Sequence, residues 1–366
     1  MVKTAWVDAD THLYEPPGTW RDRLPHRYRD QAPSLVEIGD GRMFFEYGAK
    51  LFPTMPNHPG FGAIYAPGGT ATKEVCDPTA RVARMDHDGV DVQVLYPTLA
   101  LNGANQVDEP ELAEALAQAY NEYAAEFAAF APDRLVPAMV APVNHPDAAA
   151  RTISRAREDL GLRLLVTNPT PPANIPWSDT SYGWLWPLLQ DLDVSLTFHE
   201  LTASAPPHTT GMARYGDDWA MLYICTHVVE QVLVLTDLIV NGTLERYPRL
   251  RVSIAESHVS WLEGWLTLLD DQYRTDERGG RGRISMPPSD YFRRQCWVAA
   301  FTDDGLLPES LRSAGNIMVC TDWPHPPGHV TERRALRHLD SRTDLTEAER
   351  AALLAGNARR FLSAFG

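Results

Sequence analysis

Near the start of the chain, Asp8, Asp10 and His12 alternate with Val7, Ala9 and Thr11, and Glu15 follows three residues later. Alternation with a period of two marks a strand, so the three polar side chains are expected on one face, which cannot be an apolar core. Farther along, His199 and Glu200 close the run VSLTFHE, Glu256 and His258 follow LRVSIA, and Asp322 closes NIMVCTD. Imidazole and carboxylate groups are ordinary ligands of divalent metal ions. Five of them, Asp10, His12, His199, Glu256 and Asp322, each stand at the end of a short apolar run. A lone histidine or aspartate in such a place is more often a hydrogen-bonded core residue or a helix cap. Five together, from four runs, favour a metal site. His227 and Glu230 in THVVEQ lie three residues apart and would share a face of a helix. Alone they read as a surface pair; with Glu15, Glu200, Glu256 and His258 they would offer ligands for a second ion.

Eight apolar runs of strand length supply the elements that must position these groups: 5–12, 90–97, 135–142, 162–169, 194–200, 250–257, 296–302 and 316–322. Runs this apolar suit strands buried on both faces of a parallel sheet. Helical patterns such as PTARVARMDHDG, PELAEALAQAYNEYAAEFAAF and PDAAARTISRAREDLG lie between them. Strand and helix in alternation imply right-handed βαβ units, and eight of them predict an α/β fold, a (β/α)8 TIM barrel. In such barrels functional side chains collect at the C-terminal ends of the strands, where the five residues above fall. Prolines at 78, 110 and 146 mark helix first turns, and Thr346 with Glu349 forms a capping-box pattern. Segments of about 14–76, 203–218 and 274–290 exceed ordinary loops and are expected as insertions over the C-terminal mouth of a single domain, 1–366.

Composition narrows the choice further. The chain has 33 basic and 48 acidic residues, a net charge of −15, which argues against nucleic acid or an anionic membrane as a partner. Four scattered cysteines without a C-x-x-C pair suggest neither a disulfide framework nor a thiolate metal site, and a reducing cytoplasm is expected. No leader-like or membrane-spanning window is expected. SWLEGWLTLL (260–269) reads either as a core helix or as a face for a homo-oligomer.

The stretches VDADTHLYEP, FHE, THVVEQVLVLTDLIVNGTLERYPRLRVSIAESHVSWLEGWL, TDWPH and GNARRF resemble the amidohydrolase superfamily, in its amidohydrolase-2 branch, along nearly the whole chain. The resemblance implies that Asp10, His12, His199 and Asp322 hold a metal ion and that Asp322 handles a proton. Two departures stand out. The first strand carries Asp10-Thr-His12 in place of His-x-His, and Glu256-Ser-His258 replaces a glycine-rich turn bearing histidine. Carboxylates for imidazoles shift preference from zinc toward iron or manganese. Within the superfamily the chain is similar to the nonheme diiron monooxygenases of platensimycin and platencin biosynthesis. That likeness implies two irons, held by Asp10, His12, His199, Glu256 and Asp322 with His227, Glu230 or His258. It also implies O2, an electron donor, and a diterpenoid acid or its coenzyme A thioester as substrate. Glu256 and His258 would then join Asp322 as catalytic groups. An apolar pocket would draw on Trp20, Phe44, Phe45, Phe52, Phe61, Tyr65, Trp177, Trp184, Trp219 and Tyr223, and Arg278, Arg281 and Arg283 would meet phosphates. The alternative is a hydrolase or decarboxylase with a single zinc or manganese ion. A scaffold protein has no need of five such residues.

Overall fold

The computed structural model describes residues 5–16, 18–38, 42–47, 50–53, 73–103, 105–200, 209–216, 218–275, 282–325 and 332–362. Eleven strands are present among them. β1 (Val7–Leu13) is followed by a small antiparallel sheet of β2 (Ser34–Ile38), β3 (Arg42–Tyr47) and β4 (Lys50–Pro53). Then come β5 (Val92–Pro97), β6 (Leu135–Pro137), β7 (Leu164–Thr167), β8 (Ser195–Phe198), β9 (Val252–Ile254), β10 (Cys296–Phe301) and β11 (Ile317–Cys320).

The parallel strands run in the orders β1-β5-β6 and β7-β8-β9-β10-β11. Two bridges join these arcs into a closed barrel: Met139 pairs with Leu165, and Thr11 pairs with Trp323, both parallel. All eight strands fall inside or within one residue of the apolar runs. They are shorter than the runs, and in six of the eight the last residues of the run leave the ladder to form the mouth. Each strand is buried along nearly its whole length, as expected where helices cover the outside of a sheet.

The helices start where the sequence signals them. Asp77 caps Pro78–Asp88 by accepting the amides of Thr79 and Ala80, and proline opens Pro110–Ala128 and Pro146–Glu158. The Thr346–Glu349 capping box is formed at Glu347–Ala351. The stretch read as either a core helix or an oligomer face is the helix Leu262–Thr275, with Leu262 and Leu266 buried. One expectation needs correction: Ala220–Val240 is a helical stretch of 21 residues whose mean hydropathy of 1.5 would suit a membrane span. Half of it is buried inside the molecule, and its apolar residues Val234, Leu235, Leu238 and Ile239 belong to the barrel core.

The seam between β1 and β11 is built from polar groups. Asp8 accepts the Thr321 hydroxyl at 2.6 Å and the Thr321 amide at 3.0 Å. Beyond it, Asp322 N donates to Asp10 O at 2.9 Å and His12 N to Trp323 O at 2.8 Å. A register shift between Asp8 and Thr11 accompanies this turn of duty, since Asp8 serves the seam while Asp10 serves the mouth. Arg81, fully buried, braces the same strand: its guanidinium donates to His12 O at 3.0 Å and Thr11 Oγ1 at 2.9 Å, and lies 4.3 Å from the Trp323 ring centroid. Replacing Asp8 with Ala leaves the buried Thr321 donors unmet. Urea denaturation is expected to show a loss of about 3 kcal/mol, with a smaller loss for Asp8→Asn. A loss below about 1 kcal/mol would show that the seam closes without this carboxylate.

Candidate metal centre

Three strands deliver ligand-type side chains to one buried point at the C-terminal mouth. Asp10 and His12 come from β1, His199 follows β8 and Asp322 follows β11. His12 Nε2 lies 3.1 Å from Asp322 Oδ1 and 3.5 Å from Asp10 Oδ1, and His199 Nε2 lies 3.4 Å from Asp10 Oδ2. The two imidazoles meet edge to face, with centroids 5.0 Å apart. Their other nitrogens are committed outward: His12 Nδ1 donates to Pro97 O at 3.0 Å, and His199 Nδ1 to Glu200 O at 2.8 Å. A carbonyl only accepts, so each Nδ1 carries a proton and each Nε2 is the atom turned to the centre.

Both Asp10 oxygens, His12 Nε2 and His199 Nε2 are buried without a hydrogen bond. Such atoms cost about 1–3 kcal/mol each, and one divalent cation would satisfy all four together. The donor set of two imidazoles and two carboxylates suits zinc, iron or manganese. Without a cation the centre stores charge awkwardly. Burial lifts the Asp10 carboxyl to about 6. Burial opposes protonation of His199, yet the Asp10 carboxylate overrides it and raises that imidazole to about 9. Burial, reinforced by His325, depresses His12 to about 3.

His325 is a member of the centre that sequence reasoning did not single out, although the three-residue spacing of Asp322 and His325 in TDWPH was available. Its Nδ1 lies 3.0 Å from Asp322 Oδ1, its ring stands 3.9 Å from that of His12, and its Nε2 is 3.4 Å from Thr98 Oγ1. Burial works against charge on Asp322, but His325 and His12 outweigh it and hold the carboxyl well below the usual range.

The other expected ligands are placed differently. Glu256, after β9, pairs with His227 Nε2 at 3.1 Å, and the Tyr223 ring stacks on His227 at 4.4 Å. This pair borders the centre and is outside the groups of ligand atoms that could share an ion. Glu230 is elsewhere: its Oε1 accepts the Thr210 amide at 2.7 Å. The cause is local, because Cys225–Glu230 is a π-helix whose wider turn parts residues that an α-helix would align. His258 Nδ1 is held 2.6 Å from Asp304 Oδ1. Glu15 accepts the amides of Thr98, Leu99 and Ala100; burial, offset in part by those amides, raises its carboxyl to about 7. Among the described residues no separate shell for a second ion is assembled; the two candidate ligand groups share His12.

The aromatic residues are divided. Trp20 packs on Tyr47 and Trp177 on Tyr182, Trp186 and Phe198, so these fill the core, as Trp184 does at its edge. Tyr96 does border the centre, with its ring 5.3 Å from His199 and its hydroxyl 3.1 Å from Thr197 Oγ1. Phe44, Phe45, Phe52 and Trp219 lie on described backbone only. Phe61, Tyr65, Arg278 and Arg281 lie outside the described residues. Arg283 is hydrogen-bonded to Asn241, past the far end of the helix that follows His227, and does not line the centre.

Known proteins resemble this chain along most of its length. The gamma-resorcylate decarboxylase of Rhizobium radiobacter is 24% identical over 307 residues, covering 78% of this chain and 87% of the relative. A crystal structure of an amidohydrolase from Mycobacterium avium subsp. paratuberculosis shares the fold with a TM-score of 0.80 at 20% identity, covering 99% of this chain and all of that one. So does the 5-carboxyvanillate decarboxylase of Novosphingobium aromaticivorans, complexed with manganese and 4-hydroxy-3-methoxy-5-nitrobenzoic acid: TM-score 0.70, 18% identity, 98% of this chain and 96% of that one. These relatives correct the expectation of a diiron monooxygenase of terpenoids. Two of the three are decarboxylases, and the metal bound in the carboxyvanillate enzyme is manganese. Two irons, O2 chemistry and an electron donor find no support in them. The sequence model of the amidohydrolase-2 family matches residues 7–363, and the chain belongs to that family.

Proposed function

We propose that this protein is a metal-dependent decarboxylase of a small conjugated acid that bears a hydroxyl beside its carboxylate. The observation that carries the proposal is the buried set of Asp10, His12, His199 and Asp322, in which the inward atoms of the first three lack hydrogen bonds, in a chain related to decarboxylases of hydroxybenzoic acids. A divalent ion held by these four residues would draw electron density from the substrate's carboxylate and neighbouring hydroxyl and fix their orientation.

The remaining chemistry falls to side chains. Release of CO2 leaves an electron pair on carbon, and that carbon must gain one proton. Asp322 is the residue to deliver it, since His325 Nδ1 stands 3.0 Å from its Oδ1 and can reload it after each turnover. With so low a proton affinity, Asp322 is a relay and His325 the donor behind it. His227, fixed between Glu256 and Tyr223, forms a rigid polar wall on which the substrate's second oxygen can rest. His12 and His199 keep their orientation through the Pro97 and Glu200 carbonyls.

Protein purified without chelator is expected to hold about one divalent ion per chain by plasma mass spectrometry. His199→Ala and Asp10→Asn should reduce this about tenfold or more, and Glu230→Gln should leave it unchanged. About two ions per chain would contradict a single centre. With manganese supplied, 2,6-dihydroxybenzoate or 5-carboxyvanillate should release CO2 without oxygen, and Asp322→Asn should lower kcat about a hundredfold or more at similar KM. Hydrolysis of a lactone or amide by a protein that leaves such acids intact would return it to the hydrolases of the family.

A further inference from the structure

A groove of about 790 Å³, lined by none of the residues of the metal centre, runs between the loop after β7 and the segment that follows the helix Gln231–Val240. Arg246 and Arg283 both line it, with Ser178, Thr180, Asn241 and Tyr247. The two guanidiniums converge on one residue. Arg246 donates to Asn241 O at 3.1 Å, and Arg283 donates to Asn241 Oδ1. Gly242 makes the convergence possible: a Cβ there would stand 2.5 Å from Arg283 O, so only glycine lets the two backbones approach this closely.

What distinguishes these arginines is the lack of a carboxylate. Nearby, Arg249 pairs with Asp191 and Arg251 with Asp193, while among the described residues neither Arg246 nor Arg283 has an ion-pair partner. Asp237, which shares Asn241 and Ser178 with the groove, is already engaged: it accepts the Ser178 amide at 2.9 Å, the Ser178 hydroxyl at 2.5 Å and Asn241 Nδ2 at 2.7 Å. Asp179 is the one carboxylate among the lining residues, and it accepts the Ser181 amide at 2.8 Å. Each guanidinium has five N–H groups and spends only one or two on Asn241 and Thr243. In a protein of net charge −15, two fixed and unneutralised guanidiniums around one groove form an anion site.

We propose that this groove binds a small phosphate-bearing polyanion through Arg246 and Arg283, with the Thr180 hydroxyl as a further donor. Planar, forked donors held at fixed separation favour two linked phosphoryl groups over a single carboxylate. The test is calorimetric titration of the full chain with inorganic pyrophosphate at low ionic strength, where such contacts are least screened. Wild-type protein should bind, Arg246→Gln and Arg283→Gln should each weaken binding about tenfold, and the double variant should abolish it. Binding should survive in His199→Ala, which separates this groove from the metal centre. If the double variant misfolds by circular dichroism, Arg283→Gln decides, because glutamine can still donate to Asn241. Absence of binding in the wild type, equal affinity in the arginine variants, or loss confined to His199→Ala would each overturn the proposal.

Discussion

Asp8 is a carboxylate with no exposure to water whose oxygens take the amide and the hydroxyl of Thr321, and through that contact the first and last strands of the barrel become neighbours. The consequences run along the chain in both directions. Two residues after Asp8 and one after Thr321, the backbones of Asp10 and Asp322 meet at 2.9 Å, which sets their side chains at the same depth. His12 then donates its amide to Trp323 O, and its ring reaches the Asp322 carboxylate. Three of the four candidate ligands are therefore placed by one seam, and only His199 arrives from across the barrel. Arg81 holds the same strand from behind, so the seam is fixed from both sides.

This arrangement is costly without a cation. Two carboxylates and three imidazoles are buried together, and there burial raises the Asp10 carboxyl while the Asp10 carboxylate raises the His199 imidazole. A buried ion pair of this kind returns little net stability, because desolvation of both partners offsets their attraction. A divalent ion would change the balance, since it would satisfy the inward atoms of both residues at once. The same logic explains the outward bonds to Pro97 and Glu200 carbonyls. They cost nothing extra, and they fix which ring nitrogen faces the centre.

How much of this was legible in the sequence depends on the range of the interaction that decides each feature. The eight strands were legible because burial on both faces writes itself into local composition. Asp10, His12, His199 and Asp322 were legible because each ends such a run, and the barrel rule then brings the ends together. Glu230 was misread because the sequence of THVVEQ does not announce a π-helix, and a single wider turn moves its carboxylate from the centre to the Thr210 amide. Glu15 was misread for a different reason. Its spacing suits a ligand, but three backbone amides from the loop after β5 claim it, and nothing local to Glu15 reveals them. Whether a barrel with these ligands performs oxygen chemistry or decarboxylation is less legible still, because both need the same imidazoles and carboxylates.

The backbone itself marks where function is concentrated. Glu256, His258 and Asp322 have φ of 55°, 54° and 55°, a region that suits glycine and costs other residues about 1 kcal/mol or more. All three stand just beyond the C-terminal ends of β9 and β11, and each is held by a polar contact that an extended backbone would lose. Asp322 is fixed by Asp10 O, Glu256 by His227, and His258 by Asp304. The turn after β9 carries a carboxylate and an imidazole at positions whose φ suits glycine. Glycine would relieve the strain, but it would also remove the group that orients His227. The strain at Glu256, His258 and Asp322 is balanced in each case by the polar contact made there, and for Glu256 that contact is the one that fixes His227 beside the centre.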